Sequence, residues 1–307
     1  MSTSRKTMRA AGTSLRFVVL TVGAIVMILH FAYMVSTAFK PQAYVLETPP
    51  KFIPDPGTVD NFVQAWTTQD FSRYALNSAF VSVTSTVLAV WLSSMMAYAF
   101  ARFDFPGKEW FFRALLLGLM IPSMMLIIPQ FVLTKQLHLI DNLWALVLFY
   151  VSGNLALNTF LLRSFFEGIP RELDEAMEVD GANVWTRYWC LAMPLARPAL
   201  ATTVIFTFLA TWDEFAWALT VISTETKRTL PIAIQLFHGQ NSTQWGLVFA
   251  ASLIAILPVI VVYLIFQVSA ITSFVVLLTF KVLMVVSKAA LSTVLRRRVS
   301  NYATQNY

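Results

Sequence analysis

A chain of 307 residues with 57% hydrophobic and 12% charged residues is too poor in charge for an ordinary soluble domain, where about 25% of residues are charged. Its mean hydropathy is +0.66 and its net charge +6. With the charge deficit gathered into long uncharged runs, this points to a bilayer-embedded chain with basic cytoplasmic loops, not to a nucleic-acid binder. The lone Cys190 excludes an intrachain disulfide.

Six runs are long enough to cross a hydrocarbon core of about 30 Å, which takes about 20 residues of helix. In chain order they are Phe17 to Phe39, with His30 as its titratable residue; Ala75 to Ala101, without charge; and Ala114 to Thr134, containing Pro122 and Pro129. Then follow Asn142 to Leu162, closed by Arg163; Pro198 to Thr220, containing Asp213 and Glu214; and Gly246 to Gln267, containing Pro258. A bilayer leaves only helices or closed barrels, and the runs lack the alternation of barrel strands. The three span prolines read as packing kinks. The expected fold is an all-α integral membrane protein with six transmembrane helices.

Orientation follows the basic flanks. Arg5, Lys6, Arg9 and Arg16 precede the first span, and Lys288, Arg296, Arg297 and Arg298 lie near the end. Both termini are expected in the cytoplasm. The first run lacks a small-residue cleavage site after it, so an uncleaved first span is expected. Residues 40–74, rich in proline, fall outside, and residues 167–197 fall inside. Apolar character continues from Gly246 through Val286, long enough for two spans. A seventh span would export the arginine cluster, so an interfacial tail is preferred. The organisation is a cytoplasmic N-terminus (1–16), a six-span domain (17–267) and a hydrophobic, basic tail (268–307).

The internal loop is the most patterned segment. Pro170 suits a first helical position, Glu172 and Asp174 suit the positive end of a helix, and Gly181 suits a left-handed stop. Asn183 then caps a second helix, Val184 to Ala192, ended by Pro194. Leu173, Ala176 and Met177 share a face at i, i+3, i+4 spacing, amid the carboxylates of Glu172, Asp174, Glu175, Glu178 and Asp180. Such a stripe suits docking in a partner's groove, or a helix resting on its own chain. Periodicity alone leans to the second.

The spacing shifts the balance toward docking. Glu175-Ala176-Met177, three residues, Gly181, nine residues, then Leu191-Ala192-Met193-Pro194 resembles the loop signature of permease subunits of bacterial ABC importers, with Met177 in place of a third alanine. Asp180-Gly181-Ala182 matches the family's Asp-Gly-Ala. The resemblance extends over about residues 15–267. Its carbohydrate branch is suggested by Ser36 to Pro41, by Ala97-Tyr98-Ala99-Phe100-Ala101-Arg102 running on to Lys108, by Thr211-Trp212-Asp213-Glu214-Phe215 and by Thr229-Leu230-Pro231. The tail from Val268 onward bears no such resemblance. The resemblance implies a cytoplasmic coupling-helix loop in which Glu175, Ala176, Met177, Asp180, Gly181, Ala182, Leu191 and Pro194 meet an ATPase.

The expected assembly comprises a second, different permease subunit, two ATPase subunits and an extracytoplasmic solute-binding protein, in a bacterial cytoplasmic membrane. The chain has no Gly-x-x-x-x-Gly-Lys-Ser/Thr loop, so no cofactor is expected in it and Mg-ATP belongs to the partner ATPase. The expected cargo is a sugar or related polyol. Alternatives are glycerol phosphate or an amino acid, or, as a different class, a secondary transporter.

Within the fifth run, Trp212, Asp213, Glu214 and Trp217 combine aromatic and ionisable groups at membrane depth, a composition suited to a sugar path or to helix packing. Asn154 and Asn158 share a face in the fourth run and read as interhelix contacts. His30, His138 and His238 are scattered without metal spacing. No nucleophile triad or catalytic carboxylate pair stands out, so no enzymatic activity is expected.

Overall fold

The apolar runs become helices because a bilayer offers no water to a free backbone group. The computed structural model describes residues 3–239 and 243–267. In chain order its helices are α1 (Thr3–Ala38), α2 (Asp60–Thr67), α3 (Phe71–Arg102), α4 (Lys108–Leu117), α5 (Ile127–Gln136) and α6 (Leu143–Glu167). There follow α7 (Arg171–Val179), α8 (Val184–Arg187), α9 (Met193–Leu195), α10 (Arg197–Trp212), α11 (Ala216–Val221), α12 (Leu230–Gln235) and α13 (Trp245–Gln267). The expectations placed on 268–307 lie outside the described residues.

Among the described residues four helices are long and apolar enough to cross a membrane: α1 from Arg16, α3, α6 and α13. Two bent pairs bring the number to six if each is one span: Lys108–Met120 with Ser123–Gln136 at 94°, and Val184–Leu195 with Arg197–Trp212 at 76°. The protein is thus an all-helical membrane protein, with four to six spans among the described residues.

The breaks correct the sequence reading in two places, at Pro122 and in the fifth run. Pro122 is a break, not a kink, because a residue before proline is pushed out of the helical region; Ile121 has φ −88°, ψ 116°. Pro258, by contrast, sits inside the unbroken α13. The fifth run does not continue to Thr220. It stops at Trp212, and a new helix starts at Ala216.

The chain divides into two compact units. One gathers residues up to Phe80, Asp141–Leu143 and Glu214–Pro258; the other gathers Val81–Ile140, Trp144–Asp213 and the residues from Val259. In the second unit, α3 buries a stripe of small residues at Ser82, Ser85, Ala89, Ser93 and Ala97, which lets helices approach closely. Ala97, Tyr98 and Ala101 then pack with Leu162, Phe166 and Ile169 and with Tyr188, Ala192 and Ala196. The Asn158 amide, 1% exposed, donates to the Thr207 hydroxyl at 2.8 Å, an interhelix contact as its position suggests. Asn154 bonds its own helix at Tyr150 O.

In the first unit, polar side chains close off helix ends. The Asn61 amide donates to Ala38 O and Lys40 O, both at 2.8 Å. Asn77 donates to Thr226 O and Arg228 O, and Ser78 accepts from Leu230 N–H at 2.7 Å.

Candidate functional site

The loop between α6 and α10 is a pair of short helices with a glycine corner. Pro170 stands one position before α7, and Glu172 and Asp174 occupy its first turn. The helix ends where Gly181 turns left-handed at φ +81°. Gly181 N–H donates to Glu178 O at 3.0 Å and Ala182 N–H to Met177 O at 2.9 Å, the paired bonds of a Schellman stop. A Cβ on Gly181 would meet nothing within 4 Å, so backbone conformation alone requires glycine there. The Asn183 side chain accepts from Thr186 N–H at 2.8 Å and so caps α8, as its type predicts.

The second loop helix runs differently from the expectation. It is α-helical only through Arg187, widens to a π-turn over Tyr188–Ala192 and continues through Pro194 to Leu195. Met193 N–H reaches back to Tyr188 O. Proline has no N–H to donate to the preceding turn, and the wide turn just before Pro194 accommodates that loss. The bend falls at Ala196, not at Pro194.

The apolar stripe lies largely outward, against the reading of a helix resting on its own chain. Leu173 is 38% exposed, Ala176 is exposed and Met177 half-buried. The buried residue of α7 is Asp174. Its carboxylate forms an ion pair with Arg102 Nε at 2.9 Å, with the two side chains 12% and 8% exposed, while Arg102 Nη2 donates to Ile169 O at 3.0 Å. Glu178 pairs with Arg187 at 2.6 Å and so ties α7 to α8.

Glu175, Asp180 and Gly181 are exposed, Ala182 and Leu191 half-buried, and Pro194 exposed. Around them Val179 (88%), Trp185 (58%) and Trp189 (50%) are exposed. Between the end of α3 and the loop lies a cavity of about 250 Å³, lined by Tyr98, Arg102 and Phe103 on one side and Arg171, Asp174, Glu175, Glu178 and Arg187 on the other. The geometry anchors one flank of the loop by buried charge and leaves the other as an apolar and acidic surface.

The four residues expected along a path fall into both units. Trp212 is 4% exposed and stacks on Phe208 at 5.4 Å, while Asp213, at the end of α10, is exposed. Glu214 accepts from Trp217 N–H at 2.7 Å and Ala218 N–H at 3.1 Å, capping α11, and Trp217 is 5% exposed. The indoles are therefore packed rather than open, and the Glu214 carboxylate serves a helix start. Among the described residues no group of three or more His, Cys, Asp or Glu could hold a metal ion.

Arg102 is the residue that the loop motif by itself does not reveal. Its signal is a single guanidinium ending an otherwise uncharged span.

An all-helical membrane chain with a glycine-cornered pair of short helices between α6 and α10 has the architecture of a transporter permease. The chain belongs to the family of binding-protein-dependent transport system inner membrane components, whose model matches residues 89–271, and is thus a permease of ATP-binding-cassette import systems. It is 31% identical to a diacetylchitobiose uptake system permease of Streptomyces coelicolor, covering 80% of this chain and 81% of that one. It is 33% identical to a sulfoquinovosyl glycerol transport system permease of Agrobacterium fabrum, covering 84% and 90%. Its fold is similar to a chain of a bacterial ABC transporter involved in alginate import, with a TM-score of 0.73 at 24% identity, covering 87% of this chain and 98% of that one.

Proposed function

We propose that this permease carries a sugar or related polyol across the bacterial cytoplasmic membrane, both termini inside, beside a second permease subunit. A solute-binding protein delivers the cargo, and the loop from Glu175 to Pro194 docks on a separate ATPase that binds Mg-ATP. The chain itself performs no catalysis. The observation that carries the docking reading is the two-sided loop: Asp174 buried against Arg102, with Glu175, Ala176, Val179 and Trp185 left outward. A groove on a partner suits such a surface, apolar at its centre and charged around it. Saccharide cargo is supported by the diacetylchitobiose and sulfoquinovosyl glycerol relatives. Of the path residues Trp212, Asp213, Glu214 and Trp217, Asp213 is exposed, and its carboxylate can accept hydrogen bonds from sugar hydroxyls.

The test is uptake of a labelled sugar panel, together with co-purification of the ATPase. Gly181→Val or Glu175→Lys should spare membrane insertion but lose both the ATPase and uptake. Asp213→Leu should keep the ATPase and lose uptake. Wild-type uptake and ATPase recovery in a Gly181→Val, Glu175→Lys double variant would refute the docking surface.

A further inference from the structure

A loop that docks on an ATPase must hand its movement to a membrane helix. Along the chain its neighbours are α6, three residues before α7, and α10, across a junction bent by 76°. Through space the loop is held by α3. Arg102, the last residue of α3, grips α7 through Asp174 and the preceding turn through Ile169 O, at 2.9 and 3.0 Å. Two turns earlier, the Ser94 hydroxyl meets the Tyr188 hydroxyl at 2.6 Å, both residues buried. The Tyr98 ring lies between these points, edge-on to Phe166 and Tyr188 with centroids 5.8 and 5.2 Å away. Contacts eight residues apart on one helix are separated by about 12 Å. A helix held at two heights must turn or tilt with whatever holds it.

The ion pair is an odd choice if stability alone were needed. Removing two charges from water offsets most of their attraction, and an apolar pair of similar volume often does as well or better. What a buried pair adds is a fixed geometry that neither partner can leave without stranding the other. We propose that Arg102 is a positioning residue that locks α7 to α3, so that the loop and the second span move as one body when the ATPase closes. This rests on the docking reading above and names the route by which docking reaches the membrane.

The experiment is hydrogen exchange on the whole transporter, purified with its ATPase subunits in nanodiscs, with and without MgATP plus vanadate. In the wild type, exchange should change both at residues 171–187 and at residues 99–106. In Arg102→Gln, and separately in Asp174→Asn, the change should persist at 171–187 and vanish at 99–106. Either single variant strands a buried group, so the double variant Arg102→Gln, Asp174→Asn, which removes both charges, guards against a folding defect and should lose the 99–106 response alike. A double variant that retains a wild-type response at 99–106, while 171–187 respond, overturns the lock. A wild type in which 171–187 do not respond at all overturns the docking reading, and the lock with it.

Discussion

Asp174 and Asp141 each fasten a loop, one in each compact unit, and their surroundings differ. The Asp174 carboxylate is 12% exposed and meets one cation, Arg102. The Asp141 carboxylate is 23% exposed and is wrapped in donors. Ser223 N–H lies at 3.0 Å, Thr224 N–H at 2.8 Å, the Thr224 hydroxyl at 2.6 Å and the Lys227 ammonium at 3.0 Å. Losing the single partner of a largely buried pair leaves a charge without a direct contact to replace it. A carboxylate with several donors and nearby water loses only a share of its bonds. The first arrangement is an all-or-none contact, suited to passing on a movement. The second fixes the conformation of a turn.

The sharpest way to break that contrast is Arg102→Met. It should destabilise the second unit by about 3–5 kcal/mol, because Asp174 stays buried without its cation. The double variant Arg102→Met, Asp174→Leu should recover most of that loss, since both charges are then gone. Denaturant midpoints of the detergent-solubilised protein would measure both. A single-variant loss under about 1 kcal/mol would put the pair in the class of screened surface pairs, and the contrast with Asp141 would collapse.

How much of this was readable before the fold? The spans set by length and hydropathy were. The runs Ala75 to Ala101, Asn142 to Leu162 and Gly246 to Gln267 reappear within or close to α3, α6 and α13, because a bilayer enforces regular backbone wherever apolar residues run on. The loop's glycine corner and its Asn183 cap were legible too, since both are local chemistry. The breaks were less so. Pro122, Pro194 and Pro258 give a sharp break, a tolerated π-turn and an unbroken helix, and only their neighbours decide which. Hidden altogether were the pairings of Arg102 with Asp174 and of Asp141 with Thr224 and Lys227. Partners so far apart in the chain leave no periodicity to read. The burial of Trp212 and Trp217 was likewise beyond composition, which cannot distinguish a ring that lines a path from one that packs a helix.

A second contrast lies between two glycines, one in each unit. A Cβ on Gly246 would lie 2.8 Å from Asn61 Nδ2 and 3.0 Å from Oδ1. Asn61 cannot give way cheaply, because its amide already serves Ala38 O and Lys40 O. Gly246→Ala should therefore cost about 1–3 kcal/mol through overpacking. Gly181→Ala meets no atom within 4 Å and should cost about 1 kcal/mol, from left-handed strain alone. Thermal midpoints of the two variants in the same detergent give the order, with Gly246→Ala the lower. The reverse order would mean that the Asn61 contact relaxes freely.

The smallest effect is expected at Asp141 itself. Burial opposes its ionisation, but hydrogen bonds from the Thr224 hydroxyl and backbone, from Lys227 and from Ser223 N–H outweigh it and hold the carboxyl well below the usual carboxylate range. A depressed folded value means that the ionised clamp contributes above the range in which a free carboxyl titrates, and is lost only as pH falls through the lower folded value. Between about pH 5 and 8 the clamp is fully charged in both states' reckoning, so its contribution should be flat there, with loosening only below about pH 4. Asp141→Asn keeps one acceptor oxygen but gives up the charge that Lys227 and the two N–H groups address. The cost should be about 1 kcal/mol, which is roughly a five-fold rise in local opening. Hydrogen exchange at residues 223–227, corrected for intrinsic rates, reads this directly. Exchange there should quicken in the variant while residues 99–106 and 171–187, in the other unit, keep their rates. A wild-type loop that loosens between about pH 5 and 7 would show that the carboxyl titrates above its ordinary range of about 4, so that burial outweighs the donors and the clamp is not held ionised.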